Sequence, residues 1–223
     1  MTDQPGSVAP VVTLFETYGS GATQIGVQVA AALGVPFLGQ AFTSEQIEAG
    51  EMKAYEDGPI GRFLSAFGTY SPNQEGVRST ATGQAQDNEA VRQNHAQILQ
   101  AALTGVVVLG RNATAILADR PGALHVKLVG RLADRLARAA RVDRIDPAPA
   151  ARRQKNEDRH RAQLTHQLYH WDATDPLSFD LVLNTSDLDE QACAEVIVAA
   201  WRAKARTEAG SQAASRSAGA ETS

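Results

Sequence analysis

Across a single glycine turn near its start, between Val8 and Leu33, the chain switches from strand period to helix period. Val8 to Phe15 is a short apolar, β-branched run of the kind that makes a buried strand. Glu16-Thr17-Tyr18-Gly19-Ser20-Gly21 follows, after which Ile25, Val29, Ala32 and Leu33 recur at helical spacing until Gly34 closes the helix. Parallel strands need a crossover, so a strand that turns directly into a helix is the opening unit of a parallel sheet. The alternation then repeats. Val35–Leu38, Gly105–Gly110, Ala123–Val129 and Leu181–Leu183 read as further strands, separated by helical segments at 87–103, 111–118, 131–139 and 188–203. This predicts an α/β fold: a three-layer parallel sheet of about five strands wrapped by helices.

Three stretches interrupt the alternation. Thr43 and Gln46 have the spacing of a capping box and predict a helix start. Residues 50–85 are rich in Gly, Ser, Pro and polar groups, which predicts a mobile, partly helical insertion. Pro147 and Pro149 break the pattern before a long polar helix expected over 150–170. Residues 1–7 and everything from Arg206 onward lack an apolar period, so both ends are expected to be disordered around one domain at 8–205.

At 43% hydrophobic and 21% charged residues, the chain has the composition of a soluble globular protein, and its net charge is −4. The distribution of charge says more than the total. Residues 111–161 hold 13 of the 21 basic residues against 6 acidic ones, and 11 of the 13 are arginines. A polynucleotide or membrane partner would favour a basic chain, and these arginine helices lack interleaved aromatic residues for stacking on bases. A small phosphate or carboxylate ligand fits better, because the guanidinium fork meets such oxygens bidentately. The single cysteine, Cys193, lies in an apolar run and reads as a packing thiol. Met1–Pro5 has neither the basic region nor the apolar core of a signal peptide, and no apolar run reaches the ~18–20 residues that span a bilayer. The cytoplasm is the expected compartment, with homodimer formation left open.

Tyr18-Gly19-Ser20-Gly21-Ala22-Thr23 stands where a phosphate-binding loop belongs, between the first strand and the first helix. The full signature G-x-x-x-x-G-K-[ST] would start at Glu16 and put its lysine at Ala22. Gly21 and Thr23 match, which makes Thr23, with Ser20, the candidate magnesium-holding hydroxyls. A simple strand-to-helix turn that uses glycine for tight packing fits the same residues.

Among the arginines, Arg131, Arg135 and Arg138 share one helix face by their spacing, and Arg152, Arg153, Arg159 and Arg161 follow beside Asp158. Arg111 directly follows an apolar strand, and the carboxyl ends of strands are where open α/β sheets bind ligands. The plain reading is a set of solvated, salt-bridged helices. The sharper reading is a phosphate clamp that closes on substrate.

These stretches together resemble the cytidylate kinase-like family of P-loop nucleoside monophosphate kinases. The resemblance rests on Tyr18-Gly19-Ser20-Gly21 with Ile25-Gly26, Leu33–Leu38, Val106–Arg111, Gly122–Val126, Asp158-Arg159-His160-Arg161, His170-Trp171-Asp172 and Asp180–Ser186. It covers about residues 10–203 in order, with Ala22 in place of the family's lysine. It implies an NMP-binding insertion at about 50–85 and a helical lid at about 144–162. It also implies that Tyr18, Gly19, Ser20, Gly21, Ala22 and Thr23 hold ATP with Mg2+, and that Arg111 faces the monophosphate or the transferring group. Arg131 and Arg135 match the arginine-bearing helix after the fourth strand, while Asp158, Arg159 and Arg161 match lid positions. The activity implied is transfer of the ATP γ-phosphoryl group to CMP or a similar small nucleoside monophosphate. The alternative is a catalytically inactive sensor of nucleotides or phosphometabolites on the same fold.

Overall fold

The computed structural model describes residues 8–40, 81–110, 112–155, 157–158 and 171–220. The capping box at Thr43 and most of the expected insertion lie outside these residues. In chain order the elements are β1 (Val11–Glu16), α1 (Ala22–Leu33), β2 (Phe37–Leu38), α2 (Ala81–Thr104), β3 (Val106–Leu109), α3 (Ala113–Ile116), β4 (Ala123–Val129) and α4 (Leu132–Asp143). A helical stretch over 147–155, here α5, follows. The chain then makes a 3-10 turn at Pro176–Ser178, the strand β5 (Leu181–Asn184) and the helix α6 (Glu190–Ala220).

The five strands form one all-parallel sheet in the order β2-β3-β1-β4-β5. Alternating residues of the central strands face two cores. Val12, Leu14, Leu124, Val126 and Leu128 pack with Ile25 and Val29 of α1 and with Cys193 and Ile197 of α6. On the other face Val11, Val106, Val108 and Ala123 pack with Ile98 and Ala102 of α2 and with Leu117. Cys193 is fully buried, and burial pushes its thiol above the usual range, as a packing residue requires. The second face also holds a buried polar chain: Thr13 Oγ1 lies 3.0 Å from Thr114 Oγ1 and 2.8 Å from His125 Nδ1. Burial holds the His125 imidazole below its usual pKa.

This order places β1 at the centre, with its crossover leading toward β2 and that of β4 leading the other way, toward β5. Strands whose connections diverge leave a crevice at their carboxyl ends, and ligands of open α/β sheets bind there. The glycine turn after β1 and the start of α4 after β4 line that crevice.

Two sequence expectations are corrected. The prolines at 147 and 149 do not interrupt a helix; they start one, because first-turn N–H groups have no intrahelical partner to lose. Ala150 N–H donates to the Asp146 carbonyl, closing that turn. The last helix does not stop near Ala203 but continues to Ala220. A missing apolar period says that a segment buries little, but Ala-, Glu-, Gln- and Arg-rich sequence still favours helix. Among the described residues no helix is long and apolar enough to cross a membrane.

Candidate functional site: an arginine-braced glycine loop

Two left-handed glycines shape the loop. Gly19 has φ +80° and Gly21 φ +84°, conformations that side chains with a Cβ rarely adopt. A Cβ on Gly19 would collide with the Arg135 carbonyl, so the loop lies directly on the backbone of α4. Inside the turn, Ser20 is fully buried and its N–H donates to the Thr17 carbonyl at 3.1 Å. The Ser20 hydroxyl donates to the same carbonyl at 2.6 Å, with the Leu128 carbonyl 3.2 Å away. These bonds anchor the turn to the end of β4. They also occupy the Ser20 hydroxyl, whereas Thr23 is exposed in the first turn of α1.

Helix α4 holds the loop by its carbonyls. Arg135 Nη1 donates to Tyr18 O at 2.8 Å and Nε to Gly130 O at 3.0 Å. Arg138 Nη1 donates to Gly19 O at 3.0 Å, and its fork continues to Thr185 Oγ1 at 3.1 Å and Thr185 O at 2.6 Å. In a trans peptide the C=O and N–H point opposite ways, so gripping Tyr18 O aims the Gly19 N–H away from α4. Among the described residues the N–H groups of Gly19, Gly21, Ala22 and Thr23 meet no protein acceptor. Helix α1 starts at Gly21 without a side-chain cap or an acidic residue in its first turn. The result is a set of unpaired donors at the positive end of a helix dipole, an arrangement that attracts anions.

Residues from 143–155 and 157–158 meet the other side of the loop. Asp158 Oδ1 accepts the Tyr18 N–H at 2.7 Å, and Oδ2 lies 3.2 Å from Arg135 Nη1 and accepts from Gln154 Nε2 at 2.8 Å. Tyr18 is buried, and its hydroxyl donates to Asp143 Oδ2 at 3.0 Å. Burial first, and then this bond, hold that phenol well above its usual range, so it stays a donor. Asp143 also receives Arg153 at 3.3 Å.

The structure therefore brings together Tyr18, Gly19, Ser20, Gly21, Ala22, Thr23, Arg135 and Asp158. It does not bring Arg131 to the loop. That side chain is exposed and bonds Asp134 and Asp187, each at 2.7 Å. Arg111, Arg159 and Arg161 lie outside the described residues. Thr17, Arg138, Asp143, Gln154 and Thr185 belong to the loop's surroundings but were not singled out as site residues from sequence. Only Arg138 carried a signal, its spacing on the arginine face. Elsewhere Phe15, Trp171 and Phe179 form an aromatic cluster, with ring centroids 5.3–5.9 Å apart. Beneath them Lys127 Nζ donates to Ala173 O at 2.6 Å, and burial lowers its pKa. A separate groove of about 660 Å3 runs between the far half of α1 and α6, lined by Gln28, Ala31, Glu195 and Val198 among others.

Comparison with known proteins bears on the family and the fold. Residues 11–187, from β1 to just past β5, match the cytidylate kinase-like family. A Corynebacterium glutamicum protein named uronate isomerase is 30% identical over 148 residues, which is 66% of this chain and 28% of that protein. The chain thus spans less than a third of that relative's length. Among solved structures, an uncharacterised protein from Eubacterium ventriosum is similar with a TM-score of 0.56 at 14% identity, covering 85% of this chain and 96% of the other. A gluconokinase from Sinorhizobium meliloti gives a TM-score of 0.44 at 15% identity, covering 92% and 96%. The family match runs over the whole sheet and includes the glycine loop with the helix that braces it, so the chain belongs to the cytidylate kinase-like family.

Proposed function

We propose that this protein is a nucleotide-binding kinase that transfers the ATP γ-phosphoryl group to CMP or a similar small nucleoside monophosphate. The observation that carries the reading is the set of unpaired N–H groups at Gly19, Gly21, Ala22 and Thr23, held in place by Arg135 and Arg138 at the sheet's crevice. Donors of this kind cradle phosphates at helix N-termini. Phosphoryl transfer asks little covalent work of a protein; it needs in-line positioning and charge neutralisation. The loop would position the donor phosphates. Arg111, Arg159 and Arg161 would neutralise the moving group, with Asp158 ordering the lid against the loop. A magnesium ion, when bound, would neutralise donor phosphate charge. The exposed Thr23 hydroxyl fits as its protein ligand, whereas the Ser20 hydroxyl is already committed within the turn.

A second reading, a nucleotide or phosphometabolite sensor without turnover, is favoured by two observations. Ala22 stands where the loop lysine would be, and the Asp158 carboxylate rests on the Tyr18 N–H. Magnesium-dependent transfer from ATP to a panel of nucleoside monophosphates, run beside calorimetric nucleotide binding, separates the two. Turnover that Arg111→Ala abolishes is the expected result. Binding without turnover on any acceptor would establish the sensor instead, and no nucleotide binding at all would overturn both.

A further inference from the structure

Both arginines that grip the loop donate to its carbonyls, but their charges are balanced differently. Arg135 has Asp158 at 3.2 Å. Among the described residues Arg138 has only neutral hydrogen-bond acceptors, namely Gly19 O, Thr185 Oγ1 and Thr185 O, and forms no ion pair. Two carboxylates stand in this corner without pairing to it: Asp134, which Arg138 helps to hold ionised but whose carboxylate is bonded to Arg131, and Glu190, whose Oε1 is 3.8 Å from the place a Cβ on Gly21 would occupy. Arg138 passes even closer to that place, with Cδ at 3.2 Å and Nε at 3.6 Å. Its Nε–H donates to nothing among the described residues. Arg138 is half-buried, and a cation in such a position without a directly paired carboxylate is costly to keep. A neutral glutamine could brace the same carbonyls. The charge itself therefore calls for a reason, and an anion on the adjacent loop supplies one.

We infer that Arg138 is a positioning residue that supplies, from the helix after β4, the positive charge that a lysine at position 22 would supply from within the loop, so that the loop can hold a phosphate-bearing ligand despite Ala22. This rests on the proposed reading of the loop as a phosphate site. Arg138 approaches from the carbonyl side and does not touch the ligand. It acts by its field across the Gly19–Ala22 turn and by fixing the Gly19 peptide.

The test is calorimetric binding of ATP and of inorganic pyrophosphate to the full chain, with thermal melts in parallel. Arg138→Gln should weaken both ligands roughly 30-fold, the scale of one lost charge in a partly desolvated site. Arg138→Lys, which keeps the charge but loses the fork, should stay within about threefold of wild type by the same argument. Adding Ala22→Lys to Arg138→Gln should restore most of the affinity without restoring the melting temperature, and should tighten binding more there than in the wild-type background. The inference is overturned if Arg138→Lys loses as much as Arg138→Gln, if Ala22→Lys fails to rescue, or if Arg138→Gln binds normally. A wild-type protein that binds neither ligand overturns the phosphate-loop reading itself, and this inference with it; any failure confined to the variants overturns this inference alone.

Discussion

Arg131 and Arg138 lie seven residues apart at the two ends of one short arginine series, yet they sit in opposite environments. Arg131, at the N-cap of α4, is exposed and tied to Asp134 and Asp187, and these partners raise its pKa further while holding the Asp134 carboxyl down. Arg138, two turns on, is half-buried and bonds the glycine loop and the end of β5. Arg135 between them is buried and joins the loop to Asp158. The residue type and the helical spacing are the same, so what separates a surface ion pair from a loop brace is which neighbours the sheet order brings alongside. Exposed pairs are screened by water and salt and stabilise little; the same contacts made out of water are strong and intolerant of a lost partner.

The strongest way to break this comparison is Arg135→Ala. It leaves Asp158 without its cation and frees the Tyr18 carbonyl, and it should cost about 3 kcal/mol in urea denaturation. A loss as small as that of a surface pair would mean that the brace is ornamental. The Thr13–His125–Thr114 chain sharpens the comparison next, because it is buried but holds no charge at neutral pH. The folded pKa of His125 lies below the unfolded value, so its contribution to stability is complete above about pH 6.5 and is lost as pH falls through that value toward the folded pKa. Asp180 and Lys204 beside it push in opposite directions. Unfolding free energies measured by urea denaturation from pH 7.5 to 5 should fall by up to about 1.4 kcal/mol per pH unit in wild type, and this slope should be absent in His125→Gln. The smallest effect belongs to Arg131→Ala. It should leave both thermal stability and nucleotide affinity unchanged in the assays above, and a clear loss of affinity would return Arg131 to the site.

Much of the fold was legible because hydrophobic period is a local property. Val11–Leu14, Val106–Leu109 and Ala123–Val129 announce themselves as strands, and the loop announces itself by Gly19 and Gly21 between two periods. The segments read wrongly were those where burial and helix formation part company. The tail to Ala220 stays helical without an apolar face, and the prolines at 147 and 149 sit in a first turn where they cost no hydrogen bond. The site was half legible. Loop residues could be named from position alone, but Asp143 meets the loop across more than a hundred residues of sequence and Thr185 joins it only through Arg138, and no spacing in the sequence marks either.

The sequence by itself determined the alternation of strands and helices, the placing of a glycine turn after the first strand, and the concentration of arginines after the third. Each follows from side-chain period, backbone freedom or composition, which need no partner to be read. The tertiary structure decided which arginines serve the loop. Only when β4 lies beside β1 does α4 pass under Gly19, and only then does Arg138 bond the loop's carbonyl while Arg131 remains a surface knot. Electrostatic roles depend on distance and on the water excluded between groups, and both arise only on folding.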